Sequence, residues 1–98
     1  MLKIFESLSV LDGMGRELCL FVEMDKKEDK FLASLSIGRD GKKFGNFSES
    51  MLEFNDLHSA KKYLIDRLNI FKLHKFVREF KSDLHPIFSE IKRKILDY

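Results

Sequence analysis

Residues 31–43 read Phe31-Leu32-Ala33-Ser34-Leu35-Ser36-Ile37-Gly38-Arg39-Asp40-Gly41-Lys42-Lys43. Phe31, Ala33, Leu35 and Ile37 fall on one side of a strand, with Ser34 and Ser36 on the other, a period of two. Asp40-Gly41 is the dipeptide that a two-residue hairpin favours, because both turn positions take positive φ. The chain is therefore expected to double back into a further strand near Lys42, which makes the sheet antiparallel. Gly38 and Gly45 flank the turn and predict a bulged or irregular hairpin.

Toward the N-terminus, Leu18, Leu20, Val22 and Met24 form another alternating face, while Cys19 and Phe21 make the opposite face apolar as well. A strand apolar on both faces is expected to be central or covered on both sides. Asp12-Gly13-Met14-Gly15 reads as the preceding turn. Before it, Leu2, Ile4, Leu8 and Val10 alternate with Lys3, Ser7 and Ser9, and Glu6 interrupts the apolar side as it would at a bulge or an edge. Lys26–Lys30 reads as a polar loop. Beyond the Asp40-Gly41 turn the pattern blurs: Phe44 and Phe47 are three apart, Ser48-Glu49-Ser50 suggests a bulge or short excursion, and Leu52 and Phe54 resume the alternation.

The pattern then changes to a helical one. Asn55 or Asp56 is a candidate N-cap, and Leu57, Ala60, Leu64 and Leu68 follow at helical spacing. Leu73, Val77, Phe80, Leu84, Ile87, Ile91, Ile95 and Tyr98 continue at intervals of three and four, close to a heptad. Pro86 interrupts this stripe. With Asp83 as N-cap, it falls in a first turn, where its missing N–H costs nothing. The spacing predicts helices over 56–69, 71–82 and 84–97. The fold class is α+β: an N-terminal four-stranded antiparallel meander followed by two to three C-terminal helices packed on one face. The chain is read as a single domain over 1–98, with 1–54 the sheet and 56–98 helical.

Composition limits the function classes. Leu, Ile, Val and Phe supply 34 of the 98 residues, well above the roughly 20% below which disorder is expected. No run of about 18 apolar residues suggests a membrane span. The opening Met1-Leu2-Lys3 meets Glu6 at once, so no secretory segment is expected. A single cysteine, Cys19, forms neither an internal disulfide nor a zinc cage, and a lone reduced thiol fits a cytoplasmic location. Residues 1–60 carry eight basic and eleven acidic side chains, net −3; residues 61–98 carry ten and five, net +5; together they give the overall +2. An acidic partner is expected to meet the C-terminal third.

Chemistry-bearing residues are sparse. His58, His74 and His85 show no i, i+3 or i, i+4 pair for a metal. His58 and His85 read as surface or capping residues, and His74 as half-buried. Cys19 lies within an apolar strand, where burial makes a thiol inert. Gly13-Met14-Gly15 and Gly41-Lys42-Lys43 lack the rest of any phosphate-binding loop. Asp12, Glu17, Glu23, Asp25, Glu28, Asp29 and Asp40 gather at strand ends and read as solvated charges. The expectation is no catalytic residue, no metal and no cofactor.

Two binding readings remain. The first is a non-enzymatic protein-interaction module of adaptor, inhibitor or regulatory type. It is expected to be homodimeric through Leu73, Val77, Phe80, Leu84, Ile87, Ile91 and Ile95, with Ile91→Asp as the seam-breaking change. The second is a single-stranded DNA or RNA binder. Its contacts are Arg39, Lys42 and Lys43 in the 38–45 hairpin and Lys72, Lys75 and Arg78 on the helices. In that reading Lys3, Phe5, Phe44 and Phe47 join the exposed sheet face. Four strands followed by a helix resembles, in element order, the PUR-repeat single-strand binders, which implies basic and aromatic residues on that face. A membrane partner is not expected, because Asp83, Glu90 and Asp97 dilute the basic helices. Binding to nucleic acid should weaken steeply with salt, whereas an apolar seam should not.

Overall fold

The computed structural model describes residues 3–44 and 51–98, with side chains from Ser9 onward. The strands are β1 (Lys3–Leu11), β2 (Glu17–Lys27), β3 (Lys30–Arg39), β4 (Lys42–Lys43) and β5 (Leu52–Phe54). The helices are α1 (Leu57–Phe71), α2 (Lys75–Glu79) and α3 (His85–Asp97). All pairings are antiparallel, with β1 at one edge, β2 next and β3 beyond it. The pairing of β1 with β2 runs without interruption from Lys3 opposite Asp25 to Leu11 opposite Glu17. Glu6 therefore marks an edge strand and not a bulge. The α+β architecture expected from the pattern is the one observed.

The Asp40-Gly41 turn forms as its residues dictate. Arg39 pairs with Lys42 across it, and φ is 53° at Asp40 and 83° at Gly41. Gly38 faces Lys43, and any Cβ at Gly38 would run into the Lys42 backbone carbonyl, so only glycine lets the two strands approach this closely. The polar loop expected over Lys26–Lys30 is shorter than its composition suggests. Both strands run on until Lys27 pairs with Lys30, leaving only Glu28 and Asp29 in the turn.

The fourth strand departs from the simple meander. It is two pieces, β4 and β5, both paired to the same edge of β3. The Phe44 N–H donates to the Ile37 carbonyl, and Leu52 pairs with Ala33. The outer edge thus advances eight residues while β3 advances four, which is why the apolar alternation could not be followed through this stretch. Gly45, Phe47 and Ser48-Glu49-Ser50 lie outside the described residues. Leu35 lies on β3 between the residues paired with β4 and those paired with β5. There the Arg67 guanidinium, reaching down from α1, donates Nε–H to the Leu35 carbonyl at 2.7 Å.

One face of the sheet builds the core. Leu18, Leu20, Val22 and Met24 of β2 and Ala33, Leu35 and Ile37 of β3 are at most 3% exposed. They pack with Ala60, Leu64, Leu68 and Phe71 of α1, Val77 of α2, Phe80 just beyond it, and Phe88, Ile91 and Ile95 of α3. Asp56 caps α1 by accepting from the Ser59 N–H at 2.8 Å. Asp83 accepts from the His85 N–H at 3.0 Å, and Pro86 sits in the first turn of α3, whose N-cap is Leu84. The break expected at 82–86 is therefore present, and α2 is only five residues long.

The opposite sheet face differs from expectation. Ser34 and Ser36, read as the polar side of their strand, are buried, and Ser36 Oγ has no hydrogen-bond partner among the described residues. Both serines belong to a strand flanked on each side, and Ser36 faces Phe21 in register.

The Arg67 contact yields a prediction. Arg67→Met keeps most of the apolar stem but removes the charged donor to the Leu35 carbonyl, so it should destabilise the fold by about 1–3 kcal/mol. Thermal denaturation measures the loss, and an unchanged midpoint would mean that the contact contributes nothing.

Candidate interaction surface

The stripe expected to form a dimer seam divides when it folds. Val77 and Phe80 are each 8% exposed, Ile91 is 0% and Ile95 1%, all in the chain's own core. Leu84 and Ile87 are half-buried against that core, and Leu73 is 73% exposed. Of the seven, only Leu73, Leu84 and Ile87 have surface to offer a partner. A heptad-like period identifies one face of a helix but not what lies against it; here α2 and α3 turn that face onto the sheet. Ile91→Asp therefore places a charge in the core and reports on folding before it reports on any seam.

The basic candidates occupy two regions. Arg39, Lys42 and Lys43 stand exposed at the Asp40-Gly41 hairpin. Arg39 Nε–H donates to Asp40 Oδ2 at 3.2 Å while its guanidinium lies 5.4 Å from the Phe76 ring centroid. Lys43 Nζ lies 5.4 Å from the Phe21 ring centroid. Lys72, Lys75 and Arg78 are also exposed, following α1 or within α2. Phe44 joins the hairpin to α2 by stacking on the His74 ring at 4.8 Å and meeting Phe76 edge-on at 5.7 Å. The ring read as a base-stacking candidate is thus half-buried against its own chain. Lys3 and Phe5, whose side chains are not described, and Phe47 lie outside this account.

The exposed large apolar residues are Leu11, Met14, Leu52, Ile70, Leu73 and Leu96. None is aromatic. Among the described residues, half-buried Phe21 is a ring not packed with the core, and the Lys43 ammonium stands over it.

Turn chemistry fixes the other end of the hairpin layer. Asp12, expected to be a solvated carboxylate, is 7% exposed. Its Oδ1 accepts from the Met14 and Arg16 N–H groups at 2.9 and 3.0 Å, and its Oδ2 accepts from Arg16 Nε–H at 2.7 Å. Burial raises the Asp12 pKa. The Arg16 and Met14 N–H donors and the Arg16 guanidinium more than offset that, holding the carboxyl below its ordinary 3.8. Arg16 also donates to the Glu79 carbonyl at 3.3 Å, and its guanidinium lies over Phe76 and Phe80 at 5.6 and 5.8 Å. One exposed-looking Asp and one Arg thus tie the β1–β2 turn to α2. Only the i, i+4 spacing hinted at this.

The remaining chemistry-bearing residues stand apart. Burial pushes the Cys19 thiol pKa up, and Sγ donates to Glu17 Oε1 at 3.2 Å. His74 caps α2 through Nδ1, which accepts from the Phe76 N–H at 3.0 Å, and His58 and His85 are exposed. Among the described residues no group of three His, Cys, Asp or Glu is placed to hold a metal. No described helix is long and apolar enough to cross a membrane.

A feature absent from any single stretch of sequence appears between α1 and α3. The Lys61 ammonium donates to the Leu96 carbonyl at 2.8 Å, while Asn69 and Lys72 lie beside His85 and Phe88, so the helices run antiparallel. Two hollows of about 360 Å³ each open along their outer groove and share Ile65 in their walls. One is bounded by Lys72 and Lys92, the other by Lys61, Lys62 and Leu96. The only acid in either wall is Asp66, which Lys62 engages at 2.9 Å. The acids of α3 point elsewhere: Glu90 and Asp97 both pair with Arg93, at 2.6 and 3.3 Å.

Compared with protein families, curated proteins and solved structures, the chain shows no significant match to any of them.

The Asp12 cluster predicts an acid-sensitive stability. A carboxyl whose folded pKa is depressed stabilises above its unfolded pKa and loses that contribution as pH falls through the folded value. Asp12→Asn should therefore lower the melting temperature at pH 7. The gap from the parent should close as pH falls below 3.8, the ordinary value. A gap that stays constant down to pH 2 would contradict the charge assignment.

Proposed function

We propose that this chain is a small, non-enzymatic protein-interaction module that meets its partner through the outer side of its C-terminal helices. The observation that carries this reading is the chemistry of the exposed apolar residues in that half. Ile70, Leu73 and Leu96 are 52%, 73% and 52% exposed, and all are aliphatic. Scattered single apolar residues are ordinary on a surface, but exposed aliphatic residues framed by charges, as Leu73 is by Lys75, Arg78 and Glu79 and Leu96 by Lys61, Lys62 and Asp66, suit a protein contact. Self-association is one form of this contact. A two-fold seam would rest on Leu73, Leu84 and Ile87, since Val77, Phe80, Ile91 and Ile95 are committed to the core.

The nucleic-acid reading draws on a different observation. Phe44 brings the Arg39, Lys42 and Lys43 hairpin against the helix that carries Lys75 and Arg78. Phosphate tracking needs such cations, but single-strand binders also stack bases on free rings. Phe44 and Phe76, the rings beside those cations, are packed against their own chain, which favours the protein partner.

Photocrosslinking in cells distinguishes these readings. A benzophenone side chain at Leu73 or Leu96 should give discrete polypeptide adducts, including a doubled chain mass if the partner is a second copy. The same group at Lys27, on the far hairpin, should give none. Adducts from Lys27 alone, or nuclease-sensitive adducts from Lys42, would overturn the proposal.

A further inference from the structure

We propose that the groove between α1 and α3 receives an acidic amphipathic helix of a protein partner. This rests on reading the chain as an interaction module and identifies what that module binds.

The groove has the shape for a third helix. Two antiparallel helices leave a valley on their outer side that a further helix can fill by laying its apolar stripe along it. α1 is 15 residues long, so the valley extends for about 22 Å. Its floor is aliphatic where it opens: Leu96 is 52% exposed, and Ile65, half-buried against the core, lines both hollows. Phe88 is 6% exposed, and the Lys72 ammonium lies 5.6 Å from its ring centroid, so it is not open to a base.

The charge pattern selects the partner. Lysines stand in two pairs, Lys61 with Lys62 at one end and Lys72 with Lys92 at the other. Along α1 the two groups are separated by ten to eleven residues, or about 15 Å. Against four lysines the walls carry one aspartate, already held by Lys62. Glu90 and Asp97 of α3 are drawn to Arg93 on another stripe of that helix. This segregation leaves a positive groove on a chain whose net charge is only +2. The matching ligand has apolar residues at three- and four-residue spacing, flanked by carboxylates about three turns apart. Such charges chiefly set encounter rate and orientation, while the aliphatic contact resists salt.

Fluorescence anisotropy with the full chain tests this. The probe is a labelled peptide of about 16 residues, long enough for the valley, made of Leu, Ala and Glu in that pattern. A scrambled peptide of equal composition and a single-stranded oligo-dT are the comparisons. Lys72→Glu with Lys92→Glu should weaken the patterned peptide about tenfold or more, a typical effect of reversing interfacial charges. Lys27→Glu with Lys42→Glu makes the same change in net charge away from the groove and should weaken it less than about twofold. Leu96→Ser, at an exposed position, should also weaken it while leaving the thermal midpoint unchanged. Equal losses from both double variants, or equal binding of the scrambled peptide, would overturn the proposal by reducing the binding to net charge. So would oligo-dT binding at the groove lysines with displacement of the peptide. If crosslinks to protein from Leu73 persist while the peptide fails, the groove is refuted and the interaction module stands; if both fail, both are refuted.

Discussion

The apolar face that Leu18, Leu20, Val22 and Met24 share with Ala33, Leu35 and Ile37 has to leave water, and the other features of the helical half follow from how it does so. Each fully buried side chain of this size contributes about 1.5–3 kcal/mol, so the face is far too costly to leave open. Covering it takes one stripe from α1 and another from α3, laid antiparallel. Once Leu64, Leu68, Ile91 and Ile95 point inward, helical geometry sends Lys61, Lys62, Ile65, Lys72, Lys92 and Leu96 outward. The packing that closes the core thus also creates the groove on the opposite side of the same helices.

Two arginines tie the sheet layer to the helices. The outer edge of β3 changes register by four residues between β4 and β5, and between them Arg67 donates to the Leu35 carbonyl. At the other end, Asp12 gathers the turn and Arg16 passes the connection to α2 through the Glu79 carbonyl and two phenylalanine rings. Both arginines keep their charge while satisfying backbone or aromatic groups, a role for which a planar five-donor guanidinium is suited and an ammonium is not.

Local chemistry was legible from the residues, and tertiary juxtaposition was not. Asp40-Gly41 identified its hairpin because few other dipeptides take positive φ twice. The two apolar faces of β2 identified a strand with a neighbour on each side. Asp56 identified the start of α1, and Pro86 the break before α3. The divided fourth strand escaped because a register change leaves no periodic signature. Asp12 looked solvated because a carboxylate in a Gly-rich turn gives no local sign of its burial. The stripe from Leu73 to Ile95 was read as a seam although its spacing also suits core, since periodicity marks a face without naming its neighbour. The groove was the least legible feature of all: its walls come from residues 58–72 and 85–96, and neither segment alone shows a basic, acid-poor channel.

In the reading proposed above, this domain acts by receiving an acidic protein segment on the outer face of its helices. The most direct test is an amide NMR titration of the uniformly labelled chain with the patterned acidic peptide. Saturable shifts are expected along the outer stripes of α1 and α3, from Lys61 to Lys72 and from Ser89 to Leu96, with the Asp40-Gly41 hairpin unmoved. Shifts centred on Arg39, Lys42 and Lys43, or spread evenly over every lysine, would contradict it.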